Sequence, residues 1–196
     1  MQLLLGRALS EIPAALLAAL PIIVVWCVLV VWRARHGSRS RAIAVSTWDA
    51  ALLFSLEVIV LFTVQPSFEI HPELSRWSFI PFADLIHSLP RSDAVRAVTL
   101  RDMGGNIVLF APWGAALALR FRSMSLTRAV ILSVAVSTVI ELLQALWPAG
   151  HTSDVTDVLM NALGGGIGFL AARLLLGIAR DRGARGVRSA VPPVRR

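Results

Sequence analysis

Five apolar stretches dominate this sequence, and each is about as long as a helix must be to cross a lipid bilayer. They cover residues 12–32, 47–65, 102–119, 128–147 and 157–177. A bilayer core requires roughly 20 mainly apolar residues per helix. In a chain of 196 residues, 56% of them hydrophobic, these stretches leave little for a water-soluble surface. The sequence therefore predicts an all-α, polytopic transmembrane helix bundle with about five spans and no soluble domain.

The arginines predict how this bundle is oriented. All 19 basic residues are arginines, and most of them follow the first, third and fifth apolar stretches, in segments 33–41, 120–128 and 180–196. Basic loops stay in the cytoplasm, so the N-terminus is predicted outside and the C-terminus inside. A net charge of +7 could suggest nucleic acid. The arginines are concentrated in alternate loops, however, so no nucleic-acid partner is expected. Contact with anionic lipid stays open.

The remaining segments define the predicted domains. Residues 1–75 form an N-terminal transmembrane hairpin and the start of an external loop, with the first apolar stretch as a retained anchor and not a cleaved signal. Residues 76–177 form the membrane core, which begins with an aromatic segment expected in the outer interface, as a plain loop or as a lid. Residues 178–196 are predicted to be a basic, disordered cytoplasmic tail. Cys27 is the single cysteine, so no intramolecular disulfide is expected.

Polar residues recur at similar depths in the predicted spans. Glu57 and Glu141 are ionisable groups inside apolar stretches, and each costs at least about 2.5 kcal/mol to insert without a partner or a wet cavity. Asn106, Gln144 and Asn161 add amides that also need hydrogen-bond partners. With a rise of about 1.5 Å per residue, most of these groups fall within about 6 to 9 Å of the outer boundary, and Glu57 slightly deeper. The sequence therefore permits one polar cluster that opens toward the outside.

The direction of these side chains agrees with their depth. A helical repeat of 100° aligns one stripe on the fifth span, consisting of Asp154, Asp157, Asn161, Gly165, Gly168 and Ala172. Its small residues, and Gly164 and Gly166 beside them, predict close helix packing and not a nucleotide-binding loop. Pro112 on the third span cannot donate a hydrogen bond to the carbonyl of Val108, which predicts a kink and a free acceptor beside the cluster.

Three ordered motifs in this region resemble those of the VanZ-like family, membrane proteins named after a teicoplanin-resistance protein. They are Asn106–Gly114 (NIVLFAPWG), Ile140–Gln144 (IELLQ), and Asp154 with Asp157–Gly165 (DVLMNALGG) and Gly168. The resemblance covers about residues 76–175 and implies a role in the cell envelope. Three positions depart from the family pattern. His151 stands where the family usually has Arg, Thr156 stands where it often has the first of two paired Asp, and Ser78 stands where it commonly has Asn.

The favoured function is binding of an amphipathic ligand at the outer leaflet, such as a membrane lipid, a lipid-linked cell-wall precursor or a lipoglycopeptide. The resemblance adds glycopeptide resistance of the teicoplanin type as one candidate role. Trp77 and Phe79 would contact the apolar part of the ligand. The expected ligand-binding residues are Asn106, Glu141, Gln144, Asp154, Asp157 and Asn161. A multi-pass location in the cell membrane follows, and a homo-oligomer is possible.

Two other functions stay open. A membrane enzyme could use Glu141 or Asp157 as general base with His151 as acid or orienting group, because two carboxylates in unlike environments can be tuned apart. A transporter subunit would need a dimer, since no inverted repeat is visible. No cofactor is expected. No metal site is expected either, because scattered loop histidines are usually solvated and no zinc motif is present.

Overall fold

The computed structural model describes residues 2–63, 77–146 and 153–190, with side chains described over 19–63, 78–144, 154–180 and at 182. Helices make up nearly all of this part of the chain, as the sequence predicts. The elements are α1 (Gln2–Arg35), α2 (Arg39–Thr63), β1 (Trp77–Ser78), α3 (Ala83–Ser88), α4 (Asp93–Arg120), α5 (Leu126–Leu146), β2 (Ser153–Asp154) and α6 (Val155–Ala190). The two strands form a single two-residue parallel pair, which hydropathy alone did not predict.

Three helices of the described residues are long and apolar enough to cross a membrane. These segments are Arg39–Thr63, Leu126–Gln144 and Val155–Arg180. Their outer faces expose many large apolar side chains, which in water would form costly contiguous patches. Helix α4 covers the third apolar stretch, but charged residues in its first turns and Gly104-Gly105-Asn106 lower its hydropathy. The first and third predicted spans lie in α1 and α4. Both segments are helical, but neither is among the three that are long and apolar enough to cross a membrane.

Helices α4 and α6 extend well beyond their apolar stretches. Helix α6 continues to Ala190, into the segment from residue 178 that was predicted to be disordered. Alanine and arginine are strong helix formers, and extending an existing helix needs no new nucleus. Helix α4 begins at Asp93, inside the segment predicted as an interfacial loop, and that acidic residue favours the helix N-terminus. The predicted domain boundary at 75/76 lies outside the described residues.

Contacts divide the chain into two compact units, Met1–Val58 and Ile59–Arg196. In the first unit, Arg33 joins α1 to α2. Its guanidinium forms an ion pair with Asp49 at 2.6 Å and donates a hydrogen bond to Ser46 at 2.9 Å. The Trp26 indole donates to the Thr47 hydroxyl at 3.3 Å. These side chains hold the N-terminal helical hairpin together near its basic turn.

The second unit is built on a close contact between α4 and α6. A side chain added at Gly168 would collide with the backbone of Ala111, and one added at Gly164 would collide with the backbone of Ile107. Gly165 similarly leaves no room for a side chain against Ser133 of α5. The predicted close packing of this small-residue stripe is confirmed. It brings the backbones of α4 and α6 into contact and places the Ser133 side chain of α5 against α6.

Arg173 fixes the other end of the same unit. It lies within the fifth apolar stretch, where an unpaired charge would be expensive. Its guanidinium donates to the carbonyls of Phe121 and Met124, both at 3.0 Å, in the turn between α4 and α5. These carbonyls follow a helix end and have no partner within the helix. The arginine therefore ties α6 to the α4–α5 turn.

Candidate functional site

The start of α6 is joined to the segment that follows β1. Trp77 pairs with Ser153 and Ser78 with Asp154 in the parallel strands. Phe82 then adopts a left-handed backbone conformation (φ 61°), which costs a non-glycine residue about 1–2 kcal/mol. Its N–H donates to the Thr156 hydroxyl at 2.9 Å, and this hydrogen bond helps to hold the strained turn against α6.

Asp154 caps α6 and also contacts α5. Its Oδ1 accepts hydrogen bonds from the Thr156 N–H at 2.9 Å and the Thr156 hydroxyl at 3.0 Å, as expected of an N-cap aspartate. The backbone N–H of Asp154 donates to Oε2 of Glu141 at 3.1 Å. Glu141 is only 7% exposed. A buried carboxylate on α5 is therefore oriented by the backbone at the start of α6.

The predicted amides each find a partner on another helix. The Asn106 amide donates to Oδ1 of Asp157 at 2.5 Å and joins α4 to α6. The Asn161 amide donates to the Ser137 hydroxyl at 2.8 Å and joins α6 to α5. Oδ1 of Asn161 is buried and has no hydrogen-bond partner among the described residues. Buried polar atoms are rarely left unpaired, so this acceptor is a natural place for a water or a ligand donor.

Gln144 contacts the end of α2. Its amide donates to the Thr63 carbonyl at 2.6 Å. Thr63 is the last residue of that helix, where carbonyls have no partner within the helix. Four helix segments of the second unit thus meet through polar side chains, as the common depth of these residues predicted.

A cavity of about 700 Å³ lies where these segments meet. Five of the six predicted ligand-binding residues line it: Asn106, Glu141, Gln144, Asp157 and Asn161. Asp154 does not, because its side chain is used in capping α6, and it lines a separate cavity of about 80 Å³. The ligand-binding role of Asp154 stays a prediction, and the residue lies in the smaller cavity. Asp102 and Asp157 line both cavities, so the two adjoin.

The cavity wall includes residues that the sequence analysis did not select. Arg101 and Asp102 add one positive and one negative charge, and Phe62, Val108 and Leu109 add apolar surface. Helical spacing could have identified Asp102, which precedes Asn106 by one turn and so shares its face. The sequence did not predict that α4 begins at Asp93, so Arg101 was interpreted as a charge in a loop. The wall is mixed in character, with carboxylates outnumbering the guanidinium.

One predicted residue does not line the cavity, and two others lie outside the described part of the chain. Glu57 lies in the unit Met1–Val58, where its Oε2 is buried with no hydrogen-bond partner among the described residues, and it does not line the cavity. His151 and the side chain of Trp77 lie outside the described part of the chain. Among the described residues, no group of three His, Cys, Asp or Glu side chains is arranged to hold a metal.

A comparison with protein families decides the assignment. The family model described as VanZ/LLP1 matches residues 20–176, most of the chain. The chain belongs to the VanZ family. Together with its three apolar helices, this identifies it as a membrane protein. No curated protein and no solved structure was found to match it.

The VanZ-like motifs occupy three of the four helix segments that meet at the cavity. The motifs lie in α4, α5 and the first half of α6, and each supplies at least one polar lining residue. Two departures from the VanZ pattern have structural roles here. The backbone of Ser78 pairs with Asp154, and the Thr156 hydroxyl bridges Asp154 and Phe82.

Proposed function

We propose that this VanZ-family protein binds an amphipathic or lipid-linked ligand of the cell envelope at the outer leaflet of the cell membrane. The cavity of about 700 Å³ carries the proposal. Ligand pockets typically measure about 300–1,000 Å³ and combine apolar walls with a few convergent polar groups. The lining of this cavity fits that description, because it combines apolar side chains with three carboxylates, one guanidinium and three amides.

The charges of the wall favour a head group with hydroxyl or amine donors. Asp102, Glu141 and Asp157 are acidic, and Arg101 is the basic residue among those lining the cavity. Hydroxyls or ammonium groups would donate to the carboxylates. Arg101 could pair with a phosphate or carboxylate in the same ligand. A sugar-bearing or zwitterionic head group meets both requirements.

The proposal includes five spans, with the N-terminus outside and the C-terminus in the cytoplasm. The arginine distribution supports it, because the basic segments follow alternate apolar stretches. The exposed side chains of Phe79 (74%) and Ile80 (68%), close to the site, support an interfacial position for the turn before α3. The cavity would then open at the level of the outer leaflet, where an amphipathic ligand can enter sideways. A contribution to glycopeptide resistance of the teicoplanin type would follow if such a ligand were a cell-wall precursor or the antibiotic.

A membrane enzyme acting on a lipid-linked precursor is the second candidate. The observation that favours it is the presence of two carboxylates on one cavity in different surroundings. Glu141 accepts a backbone N–H, whereas Asp157 accepts the Asn106 amide. Such a pair could divide the roles of general acid and general base. Mass spectrometry separates the two functions, because a binding protein returns its lipid unchanged and an enzyme converts it.

Glu141→Gln tests whether the charge of the cavity is used. The glutamine side chain can still accept the N–H of Asp154 through its own oxygen, so the helix contact is preserved. We expect Glu141→Gln to abolish the envelope phenotype restored by the wild-type gene in a deletion strain. Expression and melting temperature should stay near wild type.

Two further variants control this experiment. Glu57→Gln changes a half-buried carboxylate of another helix that does not line the cavity, and it should have a milder effect. Asn161→Leu removes an amide that is 2% exposed and should fail to complement. Full complementation by Glu141→Gln beside failure of Asn161→Leu would contradict the charged-site proposal.

A further inference from the structure

A second cavity, almost wholly apolar, lies on the outer face of the α4–α6 contact. This groove has a volume of about 580 Å³ and is lined by small and aliphatic residues of both helices, among them Ala111, Ala115, Ala171 and Leu175. It arises because α4 and α6 approach at Gly168 until their backbones touch. The alanines beside that contact do not fill the space between the larger side chains around them. The groove therefore faces the region where lipid chains would lie.

The groove adjoins the polar cavity. Val108 lines both of them, and its side chain is 72% exposed. Pro112, which also lines the groove, has no N–H to donate to the Val108 carbonyl. A backbone acceptor is thus freed at the junction of a polar and an apolar space. In an amphipathic molecule, a polar head group and an apolar part are joined in the same way as the cavity and the groove.

The dimensions of the groove indicate what kind of group it takes. On α4 the lining runs from Val108 to Leu119, which are separated by about 16 Å at a rise of about 1.5 Å per residue. This length is about half of a hydrocarbon core of roughly 30 Å. The groove is continuous with the polar cavity through Val108, which favours a hydrocarbon chain attached to a polar head group over a helix of a second copy.

We infer that the α4–α6 groove binds one acyl chain of a lipid whose head group occupies the polar cavity. This inference rests on the proposed function, because the cavity supplies the head-group site. It adds that the ligand carries an acyl chain of one-leaflet length and that the chain lies against α4 and α6. The small residues of these helices then serve two purposes. Glycines close the helix contact, and alanines leave room for the chain.

Photocrosslinking of the full-length protein tests the position of the chain. Cells that express it would be grown on a fatty acid with a mid-chain diazirine, which labels acyl chains whatever head group they carry. After irradiation of the membranes, crosslinks would be mapped by mass spectrometry. We expect labelling at Ala115 and Leu175 to exceed labelling at Ala135 by about tenfold, which corresponds to about 1.4 kcal/mol. Ala135 is the matched control, an exposed alanine of α5 that does not line the groove.

A matched pair of variants tests occupancy. Ala171→Trp places a ring in the groove from an exposed position, and Ala135→Trp places one on a face that does not line it. The first should reduce labelling at Ala115 by about tenfold, and the second should leave it unchanged. Equal labelling of the groove and of the Ala135 face would overturn the inference. Crosslinks between two copies through the groove would also overturn it, because the groove would then be a protein interface.

The lipid retained on purification separates this inference from the proposed function. If Glu141→Gln loses a lipid that Ala171→Trp retains, the cavity binds a ligand and the groove assignment is wrong. If neither variant changes the retained lipid, and the groove is not labelled above the control, both the proposed function and the groove assignment fail. Loss of the same lipid in both variants, with melting temperatures near wild type, supports both.

Discussion

Substitution of Gly168 by alanine tests the close contact on which both the cavity and the groove depend. The new Cβ would meet the carbonyl oxygen, carbonyl carbon and Cα of Ala111. These are backbone atoms and cannot rotate away, so the two helices must separate. Overpacking of this kind typically costs about 1–3 kcal/mol. Alanine in place of glycine in a helix interior recovers up to about 1 kcal/mol, which reduces the net effect.

Gly177→Ala is the matched control on the same helix. An added Cβ there meets nothing within 4 Å, so this variant gains the helix propensity without the collision. The difference between the two variants therefore isolates the steric cost, about 1–3 kcal/mol. In a soluble domain of this size, each kcal/mol shifts the melting temperature by about 2–4 °C, which gives an expected gap of about 2–12 °C.

Thermal unfolding of the purified variants in detergent measures this gap. Gly168→Leu should lower the melting temperature further than Gly168→Ala does, because three more carbons enter the contact. Leu175→Ala should cost much less, since that side chain is 66% exposed. Equal melting temperatures for Gly168→Ala and Gly177→Ala would refute the argument that α4 and α6 touch at Gly168.

Two further predictions concern the turn before α3 and the topology. Thr156→Val should lower the free energy of unfolding by about 1–3 kcal/mol in chemical denaturation, because it leaves the Phe82 N–H without its hydrogen-bond acceptor; an unchanged stability would show that water replaces the hydroxyl at no cost. Cysteines at Ser38 and Gly186 should be protected from an external thiol reagent in intact cells while one at Ser92 reacts, since the arginine-rich segments are predicted to be cytoplasmic. Labelling with the opposite pattern would reverse the orientation.

The sequence predicted the helices and five of the residues that line the cavity, for reasons that act within one helix. Hydropathy located the apolar stretches because each must match the bilayer core. The 100° repeat aligned Asp157, Asn161 and Gly165 on one stripe, and the structure places all three against α4 or α5. Glu141 and Gln144 were grouped with them by depth, and both line the cavity. Depth and direction along a single helix are properties of the local sequence.

The tertiary structure decided which faces meet and what lies between them. Asp154 turned out to cap α6, while Arg101 and Asp102 joined the cavity, because these outcomes depend on where α4 starts and how it rotates against α6. Helix α6 continues beyond the apolar stretch, because hydropathy indicates which residues contact lipid and not where a helix ends. The periodicity of one helix shows which residues share a face but not which neighbour that face contacts. The space left between helices, and thus the cavity and the groove, is set by the packing of all of them together.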